Sequence, residues 1–384
     1  MKVKLLILFV VFIGSSVFAQ NVKVTDYQVP VSSARILRFN GGYNWAQTNK
    51  DGNVSSRNSN ANANFTFNYF YSSLPFAWFL DVTAAGEMND SKYAHDISIS
   101  PSVRKYIWQD RNWFGYMSMN LQHQNTYDQI YSDVAAGYGY GRHIDATALA
   151  KAVRIEEHLI KENVIAGNLP KDVMIRIANI IEREQEYIGI YGATYETKWY
   201  EDIEEAIKSS YLLISDHVGA IGILRIQQVL KGINERVNNR SYGWDLTLGI
   251  NYVTSTADKY VDRPAPALII GGRYSYPITW RNQINAKIDI YTPVDSSFFK
   301  TFSIRGNAEY IYELSNKINF VTTYSLEYSR PINEETVVIH SIRPGFLFYL
   351  ENQIYLTINA VWDKSSIKKT TLMRTSVSLQ YNFF

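Results

Sequence analysis

The chain of 384 residues contains no cysteine, which excludes disulfide-stapled secreted domains, thiolate metal sites and thiol redox chemistry. Its formal net charge is only +2, a balance that argues against a dedicated nucleic-acid-binding protein. The 6 histidines are scattered and none forms the i, i+4 pair of a zinc site, so we expect no metal and no cofactor. Beyond the N-terminal segment, no apolar run reaches the length of a membrane-spanning helix.

Aromatic residues, by contrast, are abundant, with 29 Tyr, 18 Phe and 8 Trp. A disordered chain would lack them, whereas strands that end in aromatic girdles are rich in them.

The N-terminal residues have the layout of a secretory signal peptide. Lys2 and Lys4 precede an apolar run at residues 5–13, and small residues lead to Ala19. We expect residues 1–19 to be removed from the mature protein. The alternative is an uncleaved anchor, although the apolar run is shorter than the roughly 20 residues of a spanning helix.

From residue 37 onward, apolar residues recur at every second position, the period of a strand with one apolar and one polar face. In residues 60–71, for example, Ala, Phe and Tyr alternate with Asn and Thr. About fourteen such segments follow one another, each close to the ~10 residues of a tilted membrane strand. Other clear segments begin at Leu37, Phe76, Trp113, Trp244, Ile284 and Ile354.

The connections between these segments discriminate between a membrane barrel and a soluble β-sandwich, which would also alternate. Long polar connections at residues 48–60, 86–94 and 122–131 alternate with short ones at 72–75 and 109–112, and the same alternation resumes after residue 254. Short periplasmic turns and long external loops are typical of outer-membrane barrels. The sequence therefore predicts an all-β transmembrane antiparallel β-barrel of about fourteen strands.

The chain ends in an apolar/polar alternation over residues 375–384 that includes Tyr381, Phe383 and Phe384. This ending resembles the C-terminal assembly signal of bacterial outer-membrane β-barrels, the porin-like proteins of Gram-negative cells. The apolar set ends at Phe383, one position before the last residue. The resemblance implies a protein of the outer membrane, with the barrel-insertion machinery and outer-membrane lipid as partners.

Residues 144–238 break the alternation and have helical periodicity instead. We predict four helices: one after Asp145 as N-cap, one opened by Pro170, and two near residues 200–213 and 218–237. The segment is acidic and stands where the alternation requires a short turn, so we expect a helical insert on the periplasmic side.

The helical insert divides the predicted barrel into two parts. Residues 20–143 supply about six strands, and residues 239–384 supply about eight strands together with the assembly signal.

If the apolar face of the strands meets lipid, the charged residues at the alternate positions face the lumen. Both signs occur on neighbouring strands, which predicts a constriction that selects solutes by charge and size. The alternative is a paired network that fills or braces the lumen, since fourteen strands fit a narrow or a plugged pore. The candidate lumen residues are Arg38, Arg104, Arg273, Lys287, Asp289, Arg305, Glu309, Glu327, Arg343 and Arg374, with further acids at Asp81, Asp96, Asp133, Asp245 and Asp363.

A glycine run at Gly137, Gly139 and Gly141 lacks the full spacing of a phosphate-binding loop. We interpret it as space cleared on the barrel wall for the first helix of the insert.

Four aromatic residues of the insert, Tyr187, Tyr191, Tyr195 and Trp199, recur at every fourth position and predict one aromatic stripe on a helix. The stripe is either a platform for sugar or peptidoglycan, or part of the core or of the membrane rim.

The predicted function is a channel or porin for small solutes, partly gated or plugged by the insert. The alternative is a structural or docking barrel whose periplasmic helices bind a protein or peptidoglycan. An enzyme is not expected, because the nearest candidate for catalysis is only His95 with Ser98 and Ser100 close to it in sequence.

Overall fold

The computed structural model describes residues 21–50, 53–89, 92–108, 111–331, 334–350, 354–366 and 371–381. The predicted signal peptide, residues 1–19, and two residues of the predicted assembly signal, Phe383 and Phe384, lie outside this described part.

Fourteen antiparallel strands form one sheet in which every strand pairs with its neighbours in sequence. This confirms the predicted fold class of about fourteen antiparallel strands with a helical insertion. Among the described residues, β1 and β14 are the two edge strands. The strands are β1 (Ser32–Lys50), β2 (Asn53–Ser72), β3 (Phe76–Asn89), β4 (Lys92–Tyr106), β5 (Trp113–Gln124), β6 (Tyr131–Asp145), β7 (Ser241–Ser255), β8 (Ala267–Pro277), β9 (Asn282–Pro293), β10 (Phe302–Ser315), β11 (Ile318–Arg330), β12 (Val337–Tyr349), β13 (Ile354–Ser365) and β14 (Thr371–Tyr381).

Two of the predicted long loops, residues 48–60 and 86–94, are wrong. The described residues of these two stretches belong to paired strands, since β1 runs to Lys50 and β2 begins at Asn53, while β3 runs to Asn89 and β4 begins at Lys92. The Asn and Ser content of these stretches is typical of loops, but polar residues can continue a ladder once a hairpin has fixed its register.

The five α-helices of the described residues lie between β6 and β7. They are α1 (Thr147–Lys161), α2 (Lys171–Glu182), α3 (Glu184–Tyr191), α4 (Tyr195–Lys208) and α5 (Gly219–Lys231). None of the helices in the described part is long and apolar enough to cross a membrane.

Local chemistry sets the helix ends. Asp145 Oδ1 accepts hydrogen bonds from the backbone N–H of Thr147 (2.8 Å) and from its hydroxyl (2.5 Å), so it satisfies a donor at the start of α1. Pro170 precedes α2 as predicted. Gly232, with φ of +67°, ends α5 in the left-handed conformation that glycine adopts without strain.

The densest apolar core of the chain lies in the insert rather than in the sheet. Fully buried residues such as Leu149, Ile177 and Ile203 come from α1, α2 and α4, and the segment before β1 adds Tyr27. The sheet itself encloses few buried apolar side chains, and many of its large apolar residues are exposed, including Leu248, which is 54% exposed. The insert therefore folds as an ordinary globular unit, whereas the sheet does not.

The strand registers are staggered. Starting at Ser32, the first residue of β1, successive paired residues lead through Arg104, Gly249 and Ser303 to Val337, the first residue of β12. Ser32 lies at the end of the sheet with the short connections, called here the turn end, and Val337 lies at the opposite end, the loop end. Across the sheet, the register is therefore displaced by a whole strand length. Closure of a sheet into a barrel requires a stagger of this kind.

The prediction that the glycine run clears space for the first helix of the insert is wrong. A Cβ at Gly139 would overlap the ring of Phe114 on β5, and a Cβ on Gly249 would overlap the hydroxyl of Tyr116. Gly139 of the run and Gly249 on β7 therefore accommodate two aromatic side chains from β5, because only a residue without a side chain lets a ring lie that close to the backbone.

We predict that Gly139→Ala destabilises the fold by about 1–3 kcal/mol, because Phe114 is 2% exposed and its ring has no room to move away. The melting temperature of the purified protein measures the effect. Gly115→Ala is the matched control, since the nearest atom to its added Cβ is 4.0 Å away. Equal melting temperatures for the two variants would contradict the packing role of Gly139.

Candidate functional site

All the predicted lumen residues share one face of the sheet. Strand pairing connects residues on the same face, and the registers link Arg38 on β1 through every strand to Arg374 on β14 without a change of face. We call this the inner face. The opposite face carries the exposed apolar residues, including Leu37, Trp244, Leu246, Ile288 and Val377.

The structure brings some of the inner-face charges into contact. Arg273 donates to both carboxylate oxygens of Asp245, a bidentate pair in which the carboxylate is 2% exposed. Lys287 Nζ lies 2.9 Å from Asp289 Oδ2. These pairs neutralise four of the charges on strands β7 to β9.

Other predicted lumen residues occupy the same face without forming these pairs. Arg305 on β10 stands opposite Asp289 on one side and Glu327 on the other. Glu309 accepts a hydrogen bond from Asn285 Nδ2 (2.9 Å), and Arg343 stands opposite Thr323. The inner face thus alternates in sign around the sheet.

A cluster of arginine and aromatic side chains lies near the turn end. Arg142 packs over the ring of Tyr106, 4.8 Å from its centroid, and Arg104 lies 5.8 Å from the same centroid and 6.0 Å from that of Phe114. Stacking on aromatic rings orients a guanidinium group at little cost in hydration.

The insert is attached to the inner face by a buried carboxylate, Glu313, at the turn end of β10. Its Oε2 accepts from Arg154 Nη2 on α1 (2.6 Å). Its Oε1 accepts from Arg240 Nη2 (2.7 Å) and from the backbone and side-chain nitrogens of Asn238 (3.1 and 3.0 Å). With side chains that are at most 6% exposed, this network holds two cations against one strand.

A second carboxylate, Glu235, completes the network from the chain that follows α5. It accepts from Arg154 Nη1 (3.0 Å) and lies 2.7 Å from His158 Nε2. Burial by itself would raise the pKa of Glu235, but the hydrogen bond and charge of His158, together with Arg154, outweigh burial and hold its pKa below the ordinary value. Glu235 therefore stays ionised where it contacts Arg154 and His158.

The insert also contacts the inner face of β1. Arg38 Nη2 donates to Gln185 Oε1 on α3 (3.3 Å), and Gly189 of α3 lies against Ala34 and the backbone of Arg35. Contacts with the edge strand β1 and with β10, nine strands further along the sheet, place the insert across its turn end.

The aromatic stripe predicted at residues 187–199 is divided between two helices. Gly192 has φ of +57° and ends α3, so Tyr187 and Tyr191 lie on α3 while Tyr195 and Trp199 lie on α4. Trp199 is fully buried and its Nε1 donates to Ile180 O (2.8 Å). The prediction of a single exposed aromatic platform is therefore wrong. Trp199 and Tyr187 are instead part of the core, as the alternative prediction has it.

The remaining predicted residues are placed as follows. His95 lies on the opposite face of β4 from Ser98 and Ser100, because the residues are an odd number of positions apart, so the candidate for catalysis is wrong. His95 instead stacks on Tyr93, and its ring is tilted against that of His123 with 5.1 Å between their centroids. Tyr381 ends β14, paired with Ile354. The described residues contain no group of three His, Asp or Glu that could hold a metal ion.

Sequence reasoning missed the attachment residues Arg154, Glu235 and Glu313. Glu313 has the same parity as Arg305 and Glu309, so the alternation already assigned it to the inner face. Arg154 on α1 and Glu235 in the polar chain after α5 carry no comparable local signal, because charged residues surround both in the sequence.

Comparisons with known proteins identify no matching family model and no matching curated protein. Among solved structures, a bacterial polysaccharide outer membrane secretin is 10% identical, with a TM-score of 0.27 over 89% of this chain and 95% of the other. A CymD monoaromatic hydrocarbon channel is 8% identical, with a TM-score of 0.27 over 92% and 88% of the two chains. At these values neither similarity bears on function.

We predict that Glu313→Gln destabilises the attachment of the insert by about 3–5 kcal/mol, because it leaves Arg154 and Arg240 buried beside a neutral group. Melting of the helical circular-dichroism signal and the rate of tryptic cleavage within the insert report this. Glu309→Gln, on the same strand and face, should change the melting of the helical signal and the rate of tryptic cleavage by far less. Similar behaviour of the two variants would show that the network does not attach the insert.

Glu156 of α1 predicts a pH dependence of the insert. It is 1% exposed, and burial raises its pKa to about 7, although the backbone N–H of Leu169 donates to it (2.5 Å). A raised folded-state pKa means that ionisation opposes folding, so stability is highest below the unfolded pKa of about 4.5 and falls as pH rises towards 7.

We therefore expect the insert to melt at a lower temperature at pH 8 than at pH 5. Glu156→Gln should remove that part of the difference and raise the melting temperature at pH 8. A variant with the same pH profile as the parent protein would refute this role for Glu156.

Proposed function

We propose that the chain closes into an outer-membrane β-barrel, a channel for small solutes that the helical insert partly plugs from the periplasmic side. Closure joins β1 to β14, which run antiparallel because the number of strands is even. The proposal includes outer-membrane lipid around the barrel and insertion by the barrel-assembly machinery, and it requires no catalysis.

One observation carries the proposal, namely that the apolar face of the sheet is exposed rather than buried against another layer. Leu246, Leu248 and Ile250 on β7 are each more than half exposed, whereas their neighbour Asp245 on the inner face is 2% exposed. A soluble sheet buries its apolar face, so this inversion suits a sheet surrounded by lipid. The staggered registers support closure of that sheet around a polar lumen.

The position of the insert supports the plug. It occupies the connection between β6 and β7 at the turn end, where barrels have their periplasmic turns. Its attachment to Glu313 on β10 and to Arg38 on β1 crosses the mouth of the proposed lumen.

A second candidate function, a docking barrel, is favoured by apolar residues on the outside of the insert. Tyr211 is 94% exposed, and Ile214, Ile221 and Leu224 are each at least half exposed. A surface of this kind suits a periplasmic protein partner or a peptidoglycan-associated one.

For the membrane face, we predict that Leu248→Arg lowers stability by about 2–4 kcal/mol, because it places a charge near the middle of the bilayer. Asn64→Arg, an exposed inner-face position, should be much milder. Unfolding by denaturant in lipid vesicles measures both. Equal tolerance at the two positions would contradict a lipid-facing outer surface.

For the channel, we predict steady conductance in planar bilayers that increases when residues 147–239 are replaced by an Asn-Gly turn. The backbone N–H of Ala146 donates to Arg240 O (2.6 Å), so a short turn can join the two strands. Removing the insert opens the mouth, and current should rise severalfold.

Arg305→Glu in the intact protein should shift the reversal potential towards cations, since the residue already lies between two acids. A silent protein would instead favour docking. An unchanged current after deletion would refute the plug, and cleavage of the insert by protease added to intact cells would refute its periplasmic position.

A further inference from the structure

The inner face of β1 and β2 carries an unusual concentration of asparagine. On β2, Asn60, Asn62, Asn64 and Asn68 occupy alternate inner positions, while Asn40 and Asn44 do so on β1. Asparagine is depleted in strands, where Thr or Ser would provide polarity with less disruption of the sheet. So many asparagines in one place suggest that their amide groups have a role beyond the fold.

Strand pairing gathers these amides into one surface, which we call the asparagine wall: Asn44, Asn60, Asn62 and Asn64 with Glu87. Asn44 stands opposite Asn60, and Asn62 stands opposite Glu87 on β3. The wall borders a cavity of about 610 Å³ towards the loop end. That volume is within the range of small-molecule sites.

Hydrogen bonds hold the acids of this region in place. Asn60 Nδ2 and Asn89 Nδ2 donate to Glu87 Oε1 (3.3 and 2.7 Å), and Gln124 Nε2 donates to Asp96 Oδ2 (3.1 Å). The carboxylates are thereby oriented, and they keep further lone pairs for a ligand.

The composition of the cavity lining selects a ligand class. Its described residues include no lysine or arginine, so an anion would meet Glu87 and Asp96 without a compensating cation. Amides offer both donors and acceptors, as hydroxyl groups do, and a surface with both matches a molecule rich in hydroxyl groups.

We propose that the asparagine wall binds a neutral polyhydroxylated solute, an oligosaccharide of two or three rings. This deepens the proposed function by naming the solute class. It rests on that function only for passage through the lumen, because binding itself does not require an open channel.

The experiment is calorimetric titration of the whole detergent-solubilised protein with maltotriose. Wild-type protein should bind it, and the triple variant Asn60→Thr, Asn62→Thr, Asn64→Thr should bind about tenfold more weakly or worse, a loss of about 1.4 kcal/mol. Threonine favours strands more than asparagine does, so the variant should melt no lower than the parent protein.

Two controls make the result specific. Asn307→Thr, on the inner face of β10, should leave binding unchanged, and tetraethylene glycol, which has ether acceptors but few hydroxyl groups, should not bind. Absence of maltotriose binding, or equal binding by the triple variant, would overturn the proposal. Binding of spermidine in place of maltotriose would overturn it in favour of a cation site at Glu87 and Asp96.

Conductance measurements distinguish a failure of this binding proposal from a failure of the proposed channel function. Maltotriose binding by a protein that conducts no ions would refute the channel and keep the site. Steady conductance without maltotriose binding would refute the site and keep the channel.

Discussion

The separation of polar and apolar residues onto two faces of the sheet depends on the registers of thirteen strand pairings, each of which must join residues of the same face. Side chains alternate between faces, so a slip of one residue in any pairing would move every polar residue beyond it to the apolar face. The described part of the chain contains three irregular registers, near Thr48, Ser132 and Glu313, and all three are at strand ends. The strand interiors therefore preserve the separation between a polar and an apolar surface from Arg38 to Arg374.

The insert is held by a different interaction, a buried ionic network. Arg240 is fully buried, yet it donates to Glu313 and to the carbonyl of Trp280 (2.9 Å), so its hydrogen-bonding capacity is used. A charge at such a site is tolerated only when it is paired and hydrogen-bonded. Because the network requires side chains from α1, β10 and the end of the insert, it fixes one orientation of the helices relative to the sheet in a way that apolar packing alone would not.

Much of the fold could be predicted from periodicity, and the errors have physical causes. A period of two located the strands, and parity alone determines which charged residues share a face, since both depend only on local backbone geometry. Residues 48–60 were mistaken for a loop because polarity was treated as a signal for irregular structure. The aromatic stripe failed because spacing by four ignores a helix break at Gly192. The contact between Arg154 and Glu313 joins residues 159 positions apart, and no local pattern records such a contact.

The short segment before β1 affects the order in which the protein can fold. Val22 accepts a hydrogen bond from Trp280, Asn21 donates to Leu169, and Tyr27 accepts from Tyr242, so the N-terminal residues join the core of the insert through contacts that span 148 to 258 positions. Such non-local contacts are slow to form. Although the helices are contiguous in the chain, their core is completed only after the turn between β8 and β9 has been synthesised. Residues 21–27 thus precede every strand in the chain and yet reach their native environment only after β8 has been made.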